Sequence, residues 1–245
     1  MKIFITGGTT GIGLSLAEAY LKEGHRVGVC GRDLGKLPED FLQKYPKSHA
    51  YKVDVTNKDE LFNAINEFSS GQLDLMIANA GRSEGSKPSW PDFDVYHNIM
   101  DVNVKGVLYA FEAALNIMKK QGRGHLVSIA SVAGFVGLPG AAAYCASKAA
   151  VLRLSESMAI DLGPQGYDVT AICPGFIDTP LTKQNKHPMP FLMSAEEGAQ
   201  RIKQAIAQKK VMYIFPFRMK VIITILDKMP RFLYQLIWKI PGVRP

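Results

Sequence analysis

The chain has 245 residues, is 47% hydrophobic and carries a formal charge of +7. That length and composition suit one globular domain with a large core, or such a domain with an appendage. The stretch from Lys209 to Arg244 contains eight basic residues and one acidic residue, Asp227, whereas acidic and basic residues nearly balance before it. This asymmetry argues against nucleic-acid binding and favours a basic tail that faces an anionic surface.

The N-terminus and the cysteines bear on the compartment. A short apolar run over residues 3–5 leads directly into a glycine-rich turn. It lacks the longer apolar region and cleavage site of a signal peptide, so a first strand is expected. Cys30, Cys145 and Cys173 lie far apart without zinc-ligand spacing. An odd, scattered set predicts reduced thiols in a cytosolic protein and no metal site.

The first elements predict a phosphate-binding turn. Residues 2–6 are expected to form a strand and residues 14–23 a helix, with Gly7-Gly8-Thr9-Thr10-Gly11-Ile12-Gly13 between them. Glycines let backbone N–H groups approach a pyrophosphate, and the N-terminus of a helix favours its negative charge. The spacing is Gly-x-x-x-Gly-x-Gly, not the commoner Gly-x-Gly-x-x-Gly.

The second predicted strand, residues 26–31, bears on the choice of cofactor. Many NAD-binding folds place an acid near the end of this strand to hold the ribose 2′-hydroxyl, whereas an Arg there accommodates a 2′-phosphate. Here Gly31 and Arg32 stand at that point, and Asp33 follows. The charges favour NADP(H) over NAD(H). The alternative is that Arg32 only pairs with Asp33 at the surface.

Strands and helices alternate along the rest of the chain. Helices are expected over 37–45, 58–68, from the loop after Pro91 to about residue 120, over 143–162 and over 194–208. Asn57 is the expected cap of the second of these helices. Ser194 is the expected cap of the last one, where Glu197 completes a capping box. Strands are expected at a run ending in 53–55 and over 73–78, 124–130, 168–173 and 211–215. The alternation predicts an α/β fold: a doubly wound, mostly parallel, Rossmann-like sheet with helices on both faces, forming one catalytic domain over residues 1–215.

A Tyr and a Lys in the helix over 143–162 form a candidate acid/base. Tyr144 and Lys148 are four residues apart in an Ala-rich, Pro-free segment, so they share one helix face. A nearby ammonium lowers the pKa of a phenol, which is ordinarily about 10, toward neutral pH. Ser131 follows the apolar run 126–130 and offers a hydroxyl at the carboxyl edge of the sheet, where open α/β folds bind ligands.

Several motifs stand in one order within residues 1 to 180: Thr6-Gly7-x-x-x-Gly11-x-Gly13, Asn79-Ala80-Gly81, Asn103, Ser131, Tyr144-x-x-x-Lys148 and Pro174-Gly175. In this combination the chain resembles the short-chain dehydrogenase/reductase family, of the compact type. The resemblance implies that Tyr144 is the general acid/base and that Lys148 lowers its pKa and binds the nicotinamide ribose. Ser131 would orient the carbonyl and stabilise negative charge on its oxygen. Asn103 would hold a water that links Lys148 to solvent.

The resemblance also implies a set of cofactor contacts: Gly7, Thr9, Thr10, Gly11, Ile12, Gly13, Arg32, Asp54, Val55, Asn79, Ala80, Gly81, Tyr144, Lys148, Pro174, Gly175, Ile177 and Thr179. Asp54 is expected near the adenine, Asn79 near the adenine ribose and Thr179 near the carboxamide. Alternatively, Asn79 and Asn103 only brace loops and Thr179 only caps a turn.

The implied activity is hydride transfer between NADP(H) and a small-molecule ketone or secondary alcohol, in a homodimer or homotetramer. A catalytically idle NADP-binding sensor or scaffold is the alternative, although such a protein needs none of the Asn/Ser/Tyr/Lys set. An epimerase or dehydratase is a third class. The chain lacks the length for a separate sugar-nucleotide domain.

Two segments after residue 175 leave alternatives open. The segment 176–193 is partly apolar and contains three prolines, which suits a mobile lid or a surface loop with apolar anchors. In the tail, residues 216–245, apolar side chains recur at helical spacing: Ile222, Ile225, Leu226, Met229, Leu233, Leu236 and Ile240. No apolar run approaches the roughly 20 residues that span a bilayer. The tail either makes a peripheral membrane contact on a cytoplasmic protein that takes in lipophilic ketones, or folds against its own domain or a partner subunit.

Overall fold

A computed structural model of the chain describes residues 1–84, 90–185 and 188–239. Within these residues seven strands form one sheet: β1 (Lys2–Thr6), β2 (Arg26–Gly31), β3 (Ser48–Lys52), β4 (Leu75–Ala78), β5 (Gly124–Ile129), β6 (Tyr167–Pro174) and β7 (Met212–Phe215). The strand order is β3-β2-β1-β4-β5-β6-β7, and neighbouring strands are parallel throughout. The predicted α/β, Rossmann-like fold is confirmed.

Helices cover both faces of the sheet. They are α1 (Gly11–Lys22), α2 (Phe41–Lys44), α3 (Lys58–Ser69), α4 (Phe93–Met100), α5 (Gly106–Gln121), α6 (Ala142–Leu162), α7 (Ala195–Ala207), α8 (Phe217–Lys228) and α9 (Arg231–Ile237). Alternate side chains of β1 enter two separate cores: Phe4 belongs to the core that includes residues of α3, α5 and α6, whereas Ile3 and Ile5 belong to the core that includes residues of α1 and α7. This alternation is how a parallel sheet buries both of its faces.

Some boundaries differ from the expected ones. Helix α1 begins at Gly11, so the end of the glycine-rich turn forms its first turn. The helix expected over 37–45 is reduced to α2, because Leu37 is extended (φ −70°, ψ 149°) ahead of Pro38. Asn57 and Ser194 do cap their helices.

The tail folds back on the domain with one side and exposes the other. Ile223 and Tyr234 are buried against Val136, in the segment that follows β5. The Tyr234 hydroxyl donates a hydrogen bond of 2.5 Å to the carbonyl oxygen of Gly137. On this inner side the tail therefore packs on its own domain, which is one of the alternatives that the sequence left open. The division of the chain at residue 215 stays a prediction.

The apolar side chains that recur at helical spacing in the tail do not all face the domain. Ile222, Ile225, Leu233 and Leu236 are exposed, whereas Met219 is buried. Apolar residues stand on both sides of α8, so the spacing alone does not tell which side faces the domain. Ile240, the last of these recurring apolar residues, lies outside the described residues. Within the described residues, none of the helices combines the length and the apolar character needed to cross a bilayer.

Candidate active site

The glycine-rich turn is shaped for a close ligand. Gly7 and Gly11 have left-handed backbones, with φ of +63° and +55°, which favour glycine. A Cβ at Gly13 would lie 2.3 Å from the carbonyl oxygen of Gly7. The side chain of Thr10, the N-cap of α1, makes no capping hydrogen bond, and the first turn of α1 holds no acid. The positive end of α1 therefore faces a tight turn without bulky side chains, which fits a pyrophosphate.

Asn79 braces this turn. Its Nδ2 donates hydrogen bonds to the carbonyl oxygens of Thr6 (3.0 Å) and Gly7 (2.9 Å). In return, the Thr6 hydroxyl oxygen accepts from the backbone N–H groups of Asn79 (3.0 Å) and Ala80 (3.1 Å). The bracing role that the sequence left open for Asn79 is thus present. Its expected contact with the adenine ribose stays a prediction.

The end of β2 lies against the same turn. A Cβ at Gly31 would come 2.8 Å from the Thr9 hydroxyl oxygen. Arg32 is exposed, and no ion pair joins it to any residue of the described ranges. The Asp33 carboxylate instead accepts the Gly35 N–H at 3.0 Å and caps a short 3₁₀ turn. The surface pair between Arg32 and Asp33 is therefore not formed.

Asp54 and Val55 have structural partners of their own. The Asp54 carboxylate accepts hydrogen bonds from the N–H (3.0 Å) and hydroxyl (2.8 Å) of Thr56. Val55 is buried, and a Cβ at Gly106 would come within 2.9 Å of its Cγ2. Contacts of Asp54 and Val55 with a cofactor stay predictions.

Asn103 lies in a π-helical turn, Asp101–Lys105, which joins α4 to α5. Its amide is fully buried. Its Oδ1 accepts the Arg82 N–H at 2.7 Å, and its Nδ2 donates to the Arg82 carbonyl at 2.9 Å. Its Nδ2 also donates to the Ser147 hydroxyl at 2.9 Å. The π turn is a common device for aiming a functional side chain, and here it aims Asn103 at α6.

Ser147 is a residue that sequence reasoning missed. Its hydroxyl donates a hydrogen bond of 2.8 Å back to the carbonyl oxygen of Tyr144, three residues earlier in α6. The same hydroxyl accepts from Asn103, so it joins the π turn to the first turn of α6. The available signal was a Ser directly before Lys148 in a helix, since serines in helices often bond back to the preceding turn.

Lys148 is buried beside Tyr144. Its Nζ lies 5.7 Å from the centroid of the Tyr144 ring and donates a hydrogen bond of 2.8 Å to the carbonyl oxygen of Ile129, the last residue of β5. A Cβ at Gly81 would approach the same Nζ to 3.4 Å, so glycine leaves room for the ammonium. Burial lowers the pKa of Lys148 to about 8, because an ammonium loses hydration there.

Tyr144 does not show the expected lowering of its pKa. Burial raises the pKa of this phenol, and the influence of the Ser131 hydroxyl, which acts in the opposite direction, offsets only part of the rise. In the chain by itself desolvation is the larger effect, so the Tyr144 hydroxyl keeps its proton and is available as a proton donor. That Lys148 lowers the pKa of Tyr144 stays a prediction. Ser131 also caps a 3₁₀ turn, Val132–Gly134, through the Ala133 N–H.

The segment after β6 approaches the glycine-rich turn. A Cβ at Gly11 would lie 3.0 Å from the Thr179 side chain. Pro174 ends β6, and the Gly175 N–H donates to the carbonyl oxygen of Phe215 at 2.7 Å. The Thr179 hydroxyl accepts the Thr182 N–H at 3.3 Å, which is the expected turn-capping alternative. Its contact with a carboxamide stays a prediction.

The rest of this segment is anchored at its base. Ile177 forms a parallel bridge with Met193, and both side chains are buried. Phe191 and Leu192, by contrast, are exposed. Their exposure fits the lid hypothesis, which stays a prediction. Two polar residues interspersed in this segment, Lys186 and His187, lie outside the described residues.

The family model described as short chain dehydrogenase matches residues 1–190. The chain belongs to the short-chain dehydrogenase/reductase family. An uncharacterized oxidoreductase of Myxococcus xanthus is 36% identical over 222 residues, covering 89% of this chain and 88% of that protein. An uncharacterized oxidoreductase of Staphylococcus saprophyticus is 35% identical over 184 residues, covering 73% of this chain and 79% of the relative.

Solved structures of short-chain dehydrogenases share the fold. A Burkholderia cenocepacia short chain dehydrogenase in complex with NADP superimposes with a TM-score of 0.83 at 25% identity, covering 96% of both chains. A short-chain type dehydrogenase/reductase from Mycobacterium marinum gives a TM-score of 0.79 at 26% identity, covering 87% of this chain and 93% of that one. The protein is therefore an oxidoreductase of a family that acts on CH–OH groups of small molecules, uses NAD(P) and commonly forms oligomers.

Proposed function

We propose that this short-chain dehydrogenase/reductase transfers a hydride between NADP(H) and a lipophilic ketone or secondary alcohol. The observation that carries the proposal is the convergence of four side chains beside the glycine-rich turn. Lys148 lies against the Tyr144 ring and Gly81, and the Ser131 hydroxyl acts on the Tyr144 phenol by lowering its pKa. Asn103 donates one hydrogen bond to the same helix, to the buried hydroxyl of Ser147.

The chain's own residues provide proton transfer and orientation. A bound nicotinamide supplies or accepts the hydride. In ketone reduction the Tyr144 hydroxyl donates its proton to the carbonyl oxygen, and its raised pKa keeps that proton in place until then. The Ser131 hydroxyl donates a hydrogen bond to the same oxygen as negative charge develops on it. The Lys148 ammonium, held by the Ile129 carbonyl, stabilises the phenolate left on Tyr144.

The test of this assignment is Tyr144→Phe, with Tyr109→Phe on α5 as the matched control. We expect NADPH oxidation with a panel of ketones, from small diketones to long-chain and steroidal ones, to disappear in the first variant and to persist in the second. NADPH binding, followed by its fluorescence, stays near the wild-type level in both. Full turnover by Tyr144→Phe would remove the acid/base assignment. Wild-type NADPH binding without turnover on any ketone would favour the sensor or scaffold alternative.

NADP(H) is proposed over NAD(H) because of Arg32. Its guanidinium is exposed at the end of β2 without an ion-pair partner in the described ranges. Many dinucleotide-binding folds hold the cofactor's ribose near the end of this strand. The Burkholderia relative binds NADP.

Because the site is exposed, we expect Arg32→Ser to raise the KM for NADPH by roughly tenfold and to leave the KM for NADH nearly unchanged. Lys36→Ser, another exposed cation just after β2, is the control. Equal effects of Arg32→Ser on both cofactors would contradict the preference.

We further propose a cytoplasmic homodimer or homotetramer with a peripheral membrane contact through residues 216–245. Family membership supports the oligomer. A lipophilic substrate is supported by two exposed apolar side chains, Phe191 and Leu192, on the segment 176–193, called here the substrate segment. Light scattering of the purified protein would test the oligomer, since a monomeric mass at micromolar concentration is incompatible with it.

A further inference from the structure

The outer side of the tail is apolar and faces solvent. On α8, Phe217 and Ile225 are 74% and 59% exposed, and on α9 Phe232 is 71% exposed. The exposed large apolar side chains of the two helices, called here the tail surface, are Phe217, Val221, Ile222, Ile225, Phe232, Leu233 and Leu236. Concentrations of apolar surface like this mark interaction sites rather than ordinary solvated surface.

Cations border the tail surface. Between residues 217 and 239 five basic residues stand against one acid, Asp227. Asp227 lies 4.0 Å from Arg231, whereas Lys220, Lys228 and Lys239 have no ion pair with any residue of the described ranges. Apolar side chains flanked by unpaired cations are the composition of helices that lie in the headgroup region of an anionic bilayer.

A second copy of the chain fits this surface less well. In a two-fold symmetric dimer the same patch faces itself, so the cations around the tail surface would approach one another. Like charges brought together and desolvated disfavour such an interface. A surface of anionic phospholipid offers opposite charge together with an apolar layer.

The tail surface is also connected to the active site. Tyr234, on the inner side of α9, holds the carbonyl oxygen of Gly137 in the segment that follows Ser131. On α8, the Arg218 guanidinium lies 5.6 Å from the ring centroid of Phe191 in the substrate segment. The segment that follows Ser131 and the substrate segment therefore both contact the two helices whose outer side is apolar.

We propose that the outer sides of α8 and α9 dock on an anionic phospholipid surface and hold the substrate segment against it. The proposal deepens the peripheral membrane contact proposed above, and it rests on the proposed function where it assigns a lipophilic substrate to the site. Docking places Phe191 and Leu192 beside the apolar layer from which such a substrate would enter. The lipid contact itself requires no turnover and can be measured separately.

The test is co-sedimentation of the full chain with sucrose-loaded vesicles. We expect binding to vesicles of phosphatidylcholine with phosphatidylglycerol, little binding to phosphatidylcholine alone, and release by 0.5 M NaCl through screening of the cations. Replacing Lys220 and Lys228 by Gln removes two cations and should weaken the partition coefficient by about twenty-fivefold, at about fivefold for each charge near the surface.

The apolar contribution is tested with Ile225→Gln combined with Phe232→Gln. The matched control is Ile160→Gln, because Ile160 is an exposed apolar side chain (70%) on α6, outside the tail. We expect the double variant to lose at least tenfold in vesicle binding and the control to lose none. Circular dichroism checks that both variants are folded. Tyr144→Phe should bind vesicles like the wild type, which separates a failure of docking from a failure of the proposed chemistry.

Two results would overturn the proposal. One is absence of wild-type binding to vesicles that contain phosphatidylglycerol. The other is a folded double variant that still binds them as the wild type does. If the wild type ignores vesicles and the double variant converts an oligomer to a monomer in light scattering, the tail surface is an interface between copies of the chain.

Discussion

Ser147 offers the sharpest test of how the site is held together. Ser147 and Ser155 are both 0% exposed on α6. The hydroxyl of Ser147 accepts from Asn103 at 2.9 Å, and that of Ser155 lies 2.7 Å from the hydroxyl of Ser128 on β5. Replacing either by Ala leaves one buried polar partner unsatisfied. The two variants therefore match in chemistry and burial and differ in whether they touch the residues proposed for catalysis.

Ser147→Ala and Ser155→Ala should lose similar stability and different activity. Each leaves a buried hydrogen-bonding group without its partner, which costs about 1–3 kcal/mol. For a chain of this size that cost corresponds to a fall in Tm of roughly 2–12 °C. Only Ser147→Ala releases one of the hydrogen bonds that fix Asn103. We expect its kcat to fall by roughly ten- to a hundredfold, since small displacements of a positioned group have effects of that order.

The assay is NADPH oxidation with the best ketone of the panel, at a temperature well below both melting points. NADPH affinity, measured by fluorescence, should be unchanged in both variants, so that the effect appears in kcat. If the two serine variants lose equal activity at equal stability, Ser147 contributes only to folding. If Ser147→Ala keeps wild-type kcat, the proposed positioning of Asn103 through Ser147 is wrong.

Three further predictions follow from burial and close contacts. The stability of the wild type relative to Lys148→Met should rise between about pH 8 and pH 10.5, since the unfolded chain keeps the Lys148 proton across that range and the folded chain, with a pKa of about 8, does not; thermal melts at several pH values measure it. Ile223→Ala, at a buried position of α8, should lower the free energy of unfolding in urea by about 2–5 kcal/mol. Ile225→Ala, at an exposed position of the same helix, should change it by less than about 0.5 kcal/mol. Gly13→Ala, whose methyl would meet a carbonyl oxygen at 2.3 Å, should weaken NADPH binding in a fluorescence titration, whereas Gly163→Ala, with no atom within 4 Å of its methyl, should not.

The order of strands and helices could be predicted because each signal is local. Strand β1, the glycine-rich turn and α1 follow one another within residues 2–22. The caps Asn57 and Ser194 each bond within their own first helical turn. Interactions between near neighbours are set by residue type and spacing, so the sequence carries them directly.

The parts of the site that could not be predicted depend on contacts distant in sequence. Asn103 and Ser147 are 44 residues apart, and their hydrogen bond needs both the π turn and the packing of α6. Whether the pKa of Tyr144 is raised or lowered depends on how deeply the fold buries its phenol. The spacing of Tyr144 and Lys148 carries no information about that burial. A shared helix face gives proximity, whereas desolvation is a property of the whole fold.

The tail and the reacting groups are mechanically connected through one short segment. On one side, a Cβ at Gly134 would lie 2.9 Å from the Lys148 carbonyl oxygen, so the turn after Ser131 rests directly on the α6 backbone. On the other side, Val136 packs against Ile223 and Tyr234 of the tail. Removing residues 216–245 would uncover Val136 and release this segment, and with it the hydroxyl of Ser131. Truncation would therefore remove a surface contact and damage the site at the same time, and the two effects could not be separated. Substitutions on the outer side of the intact tail change the surface contact alone and are the more decisive experiment.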